Sequence, residues 1–182
     1  SFAGTVSDLD GDAIASIALK VADSDIVDGA SEQLLVGGST IALNATAGSA
    51  TVTDAVSGIT YSVEVTDSGS SEKVVTFTND GGGTVTKAQA DALLAALKYN
   101  NASDDPTDGA RAFEVTVSDG SGPSTAVTKT ITVAAVNDTP TVSLTASTAT
   151  FTEIDGADTT ANDISFAGTV SDLDGDAIAS IA

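Results

Sequence analysis

The chain has 182 residues, 26 of them acidic and only 6 basic, which gives a formal charge of −20 and a pI near 4.1. That balance disfavours nucleic acid and anionic membrane surfaces as partners and makes a metal cation the natural counter-charge. Cys, Met, Trp and His are all absent, so disulfides, thiolate or imidazole metal sites and histidine-based catalysis are excluded.

The acidic residues are 21 Asp and 5 Glu. Surface solubility alone would use Glu as freely; an Asp excess points to turns and to hard-cation sites. Hydrophobic residues make up 41% and aromatic residues 4%, which allows a sizeable core built mainly from aliphatic side chains. No apolar run reaches the roughly 18 residues of a membrane span, so no membrane insertion is expected.

Taken in chain order, Ser1–Ala18 reads SFAGTVSDLDGDAIASIA, and Ser165–Ala182 repeats it letter for letter at an offset of 164 residues. One full period of a tandem array is therefore expected, overlapping into its next copy. Within the repeat lies Asp8-x-Asp10-x-Asp12, with its twin Asp172-x-Asp174-x-Asp176. This loop is not an EF-hand: Ala13 stands where that loop needs Gly, and Leu19 where it needs Glu.

Period-two alternation then predicts strands at Thr60–Val65, with Tyr61, Val63 and Val65 on one face, and at Val74–Thr78, Phe113–Val117 and Val127–Val133. Shorter strands are expected at Thr141–Leu144 and Ala149–Phe151. Turns are predicted at Gly37-Gly38, Asp80–Gly83 and Asp119–Pro123. A helix is predicted over about 86–98, with Thr86 as N-cap, Gln89 completing a capping box and Lys87–Asp91 as an i, i+4 pair. Leu93, Ala96 and Leu97 are expected to face the core. Many short strands at this spacing argue for an all-β fold, an antiparallel Greek-key β-sandwich carrying one short helix. A boundary is expected at Val136-Asn137-Asp138-Thr139-Pro140. Residues 1–138 then hold most of one repeat, without its first strands, and residues 139–182 open the next.

Three stretches resemble the Ig-like, cadherin-like tandem repeats of giant bacterial surface adhesins, often secreted as RTX-type proteins. Phe113–Gly122 is similar to the penultimate strand and following turn of such domains, Thr130–Pro140 to their last strand and calcium linker, and Ser171–Asp176 to their Asp-x-Asp loop. The linker departs from the family pattern: Ala135 stands two residues before Asn137, where cadherins begin with Asp. No clean equivalent of the family's acidic pair precedes the penultimate strand, and Asp104, Asp105 or Asp108 are the available substitutes.

The resemblance implies Ca2+ at the junction. Asn137 and Asp138 would leave one domain, and Asp172, Asp174 and Asp176 would come from a loop of the next, 34 to 38 residues after Asp138. Asp104 and Asp105 would complete the shell, and Asp8, Asp10 and Asp12 would repeat the chemistry at the preceding junction. Glu153 would bind at the far end of its own domain or be a plain exposed strand end. Calcium takes about six to eight oxygen ligands, and clustered carboxylates repel one another without it.

The function implied is a calcium-rigidified extender of an extracellular adhesin that projects a distal binding domain from the bacterial cell surface, for adhesion or biofilm formation. Its partners would be neighbouring repeats of the same chain. The alternative is a segment of a calcium-dependent filament, sheath or surface layer, in which other copies in a fibre become partners. A sugar-stacking platform is disfavoured by the few aromatic residues, and glycoside hydrolysis by paired carboxylates lacks any second polar constellation. An enzyme is not expected.

Overall fold

In a computed structural model, the structure describes residues 1–45, 48–69, 71–145 and 166–181. Glu153 and the strand expected at Ala149–Phe151 lie outside the described residues. The chain divides into two compact units, Ser1–Ala135 and Val136–Ala182, just ahead of the boundary expected after Asp138.

The first unit is built from β1 (Ser16–Ala22), β2 (Glu32–Val36), β3 (Ser39–Ala42), β4 (Gly48–Thr53), β5 (Thr60–Asp67), β6 (Glu72–Asn79), α1 (Lys87–Ala96), β7 (Lys98–Asn101), β8 (Gly109–Ser118) and β9 (Val127–Val133). Six strands form one sheet in the order β4-β5-β6-β1-β8-β9, and three form another in the order β3-β2-β7. Every one of these pairings is antiparallel, so the fold is all-β with a single α-helix among the described residues, as expected from the alternation.

The pleat puts alternate residues on one face. Ile17, Leu19 and Val21 of β1 register with Phe77, Val75 and Lys73 of β6 and with Val117, Val115 and Phe113 of β8. Tyr61, Val63 and Val65 share the buried face of β5, as their spacing predicts. Leu34 and Val36 of β2 and Ala90, Leu93 and Leu94 of α1 join the same hydrophobic cluster. Where β2 turns into β3, Gly37 has φ +57°, and a Cβ there would lie 1.8 Å from the Thr53 carbonyl oxygen. Only glycine fits that approach.

Thr86 caps α1. Its Oγ1 accepts from the Gln89 amide, and its own N–H donates to Gln89 Oε1 at 2.8 Å, closing the predicted capping box. The helix is shorter than expected, because Leu97 is already extended and leads into β7. The expected Lys87–Asp91 pair is not made. Asp91 Oδ1 instead accepts the Val6 amide at 2.6 Å, a part-buried N–H that folding takes from water and that needs a partner, whereas a helix-surface lysine pair is worth little.

Strand β9 also departs from expectation. Period-two alternation predicts one covered face, yet Val127 is 70% exposed and only Ile131 and Val133 are partly covered. The reason is topological: β9 is the sheet's edge.

In the second unit, β10 (Thr141–Leu144) pairs antiparallel with β11 (Gly168–Ser171). The repeated residues differ in environment between the units. Phe2, Ile14 and Ile17 are at most 5% exposed, whereas their twins Phe166, Ile178 and Ile181 are 87%, 39% and 85% exposed.

Candidate cation site

The Asp loop forms in the same way in both copies because its hydrogen bonds are local, the one difference being that the Gly175 amide donates to the Asp172 carbonyl instead of the carboxylate. Asp8 Oδ1 accepts from the amides of Asp10 at 3.0 Å, Gly11 at 2.8 Å and Asp12 at 3.1 Å. Those amides, Asp12's foremost, hold the Asp8 carboxyl below its usual value. Asp172 Oδ1 accepts likewise from Asp174 at 3.1 Å and Asp176 at 3.3 Å. Gly11 and Gly175, at φ +86° and +76°, let the backbone curl around the carboxylate. One oxygen of the first Asp is thus committed to shaping the loop.

The second unit brings the linker and the loop together. Asp174 Oδ2 accepts a hydrogen bond from the Asp138 amide, and the Asn137 side chain donates to the Asp138 carbonyl. Asp174 Oδ1 is buried with no hydrogen-bond partner, alone in this respect among the described side-chain oxygens and nitrogens. Such an oxygen is costly unless something satisfies it. The donor set is all oxygen, the kind a hard cation takes.

The other expected ligands lie elsewhere. Asp104 and Asp105 are exposed; the Asp105 carbonyl accepts from Ser103 Oγ. Asp108, not either of these, reaches the end of β9, where its Oδ1 accepts the Ala135 amide. Asp8, Asp10 and Asp12 lie at the opposite end of the first unit, since Ser16 registers with Ser118 while Gly109 registers with Val133. Among the described residues no three acidic side chains converge at metal-binding spacing.

A second polar centre in the first unit was not anticipated. Arg111, the chain's single arginine, is 2% exposed. Its Nε donates to Glu32 Oε1 at 2.8 Å, and its Nη2 to the Thr107 carbonyl at 2.8 Å and Asp28 Oδ2 at 3.3 Å. Tyr99 donates its hydroxyl to the other oxygen of the fully buried Glu32. Burial first, then that carboxylate, push the Tyr99 hydroxyl up to about 12. Burial also pushes the Asp28 carboxyl up, but Thr107, Asn101 and Arg111 together outweigh it and leave the group below its ordinary 3.8.

A depressed carboxyl contributes stability that is present above the unfolded value and lost as pH falls through the folded one. Acid titration of the unfolding free energy is therefore expected to show a loss below about pH 4. Asp28→Asn should flatten that limb; an unchanged limb would remove Asp28 from it.

Comparison with protein-family models, with curated proteins and with solved structures gives no match. Among the described residues no helix is long and apolar enough to cross a membrane.

Proposed function

We propose that the chain is a calcium-stiffened extender repeat of a large extracellular bacterial surface adhesin, of cadherin-like type, acting without catalysis to space a distal binding domain from the cell. The observation that carries it is the buried, unpartnered Oδ1 of Asp174, set in an oxygen-rich loop that reaches back to the Asp138 amide. The letter-for-letter repeat supports the array, because identical units add length, not new binding surfaces.

Asp174 would supply its free oxygen to the ion. Asp138, Asn137, Asp172 and Asp176 are the residues nearest in sequence and loop to add carboxylate or amide oxygens. When bound, calcium supplies the positive charge that offsets repulsion among these groups. Asp172 keeps one oxygen on its own loop, so it orients its neighbours more than it ligates. Binding to the folded loop and not to the unfolded chain would stabilise by mass action, about 2.7 kcal/mol at a hundredfold excess over Kd.

Titration calorimetry of the 182-residue chain with calcium, with magnesium as control, tests this. Saturable binding specific for calcium is expected, together with a raised unfolding midpoint, and Asp174→Asn should abolish both. Absence of calcium-specific binding to the native chain would sink the proposal.

A further inference from the structure

Gly4–Ser7 and Gly168–Ser171 are the same four residues, but only the second set has a strand partner. In the second unit Thr141 registers with Ser171, Val142 with Val170, Ser143 with Thr169 and Leu144 with Gly168. Subtracting the repeat offset, Ser7, Val6, Thr5 and Gly4 are left facing a groove of about 380 Å³. Its apolar lining includes Phe2, Leu94, Val115, Val117 and Val127. This is the side of the first unit on which β9 is an exposed edge.

We propose that this groove is the seat of a second copy of Thr141–Leu144, supplied by a neighbouring repeat of a tandem array. Three independent features fit that one occupant. The first is hydrogen-bond direction. Along an extended strand, backbone groups point alternately to opposite edges. The Val6 amide is turned to Asp91 on α1. On the extended course that its twin Gly168–Ser171 takes, the Thr5 and Ser7 amides are then the ones turned to the groove, and neither donates to a described group. Their twins at 169 and 171 are the positions opposite Ser143 and Thr141.

The second feature is side-chain polarity. Val142, Leu144, Phe166 and Val170 line one apolar hollow in the second unit. Opposed residues of an antiparallel pair share a face, so copies of Val142 and Leu144 would lie on the face of Phe2 and Val6, against Val115 and Val127.

The third is Gly4. A Cβ at Gly168 would come within 2.5 Å of the Ser143 carbonyl oxygen and 2.9 Å of Leu144 Cδ2. A Cβ at Gly4 meets nothing nearer than the Phe2 carbonyl oxygen at 3.8 Å. The first unit by itself places no demand for glycine there; a docked strand does.

This inference goes beyond the calcium site and does not depend on it, so the test is run in chelator. The 182-residue chain is compared with a chain extended by a second copy of residues 139–164 placed directly before Ser1. Amide hydrogen exchange is read at Thr5 and Ser7, and unfolding is followed by calorimetry. The extension is expected to protect both amides and to raise the first unit's midpoint by roughly 5–10 °C. Gly4→Val should erase both gains in the extended chain and leave the unextended midpoint unchanged. Equal exchange with and without the extension overturns the proposal, as does a gain that survives Gly4→Val. Concentration-dependent protection in the unextended chain would show a second molecule in the groove and overturn the tandem source.

Discussion

Arg111→Leu is expected to cost about 3–5 kcal/mol of stability, because it strands Glu32 and Asp28 as buried charges without their cation. The Arg111 side chain is 3% exposed, and those of Glu32 and Asp28 are 0% and 8% exposed, so water cannot replace the lost partner. Exposed ion pairs such as Lys20 with Glu114 are in a different regime, because water and salt screen them. The pairs also tie distant segments: Asp28 precedes β2, Glu32 opens it, Arg111 lies near the start of β8, and Tyr99 comes from β7. Chemical denaturation followed by circular dichroism measures the cost. A loss under 1 kcal/mol would mean that solvent or a rearranged Asp28 relieves the charges. Replacing Arg111 and Glu32 together by apolar residues should cost less than Arg111→Leu alone, since removing both charges removes the penalty of leaving one unpaired.

Phe113→Ala should destabilise by a similar amount, about 3–5 kcal/mol. Phe113 is fully buried, and its ring meets Phe2 edge-on at 5.2 Å between centroids and Tyr99 at 6.0 Å. Truncation removes apolar area and leaves a cavity that the flanking strands cannot close, since β8 is held on one side by β1 and on the other by β9. The loss of the Phe2 contact should also loosen the segment from Phe2 to Ser7. Thermal unfolding together with hydrogen exchange at the Phe2 amide, which donates to the Leu97 carbonyl, measures both effects. A midpoint within a degree or two of wild type would show that Phe2 and Tyr99 refill the space.

Local signals suffice where they are complete in one short window. The alternation at Thr60–Val65, Val74–Thr78, Phe113–Val117, Val127–Val133 and Thr141–Leu144 matches β5, β6, β8, β9 and β10. Strand β1 carries the same alternation in Ile17, Leu19 and Val21 and could have been found the same way. Strand β7, Lys98–Asn101, could not: its sequence KYNN has no apolar period, and it is a strand because β2 registers with it. Strand β4 buries only Val52 and exists by pairing with β5. The Arg111 centre joins residues 79 and 83 positions apart, a distance no periodicity reports. A lone arginine in so acidic a chain was the available hint. For the candidate cation site, the Asp-x-Asp-x-Asp spacing and the linker are legible in the sequence, but which of Asp104, Asp105 and Asp108 meets the end of β9 is set by the fold, where Asp108 accepts the Ala135 amide.

The repeated eighteen residues separate the two kinds of information. By itself, this sequence determined the Asp loop. Asp8 and Asp172 draw in the amides two to four residues ahead, and the same turn forms in both units because every partner lies inside the motif. The sequence likewise determined the helix start, where Thr86 and Gln89 satisfy each other. Tertiary structure alone decided what the apolar residues of the repeat become. Ile17 is buried in β1 because β6 and β8 flank it, whereas the identical Ile181 has no such strands among the described residues of its unit and stands 85% exposed. Hydrogen bonds within a few residues close wherever the motif occurs; burial requires surface that other parts of the chain must bring.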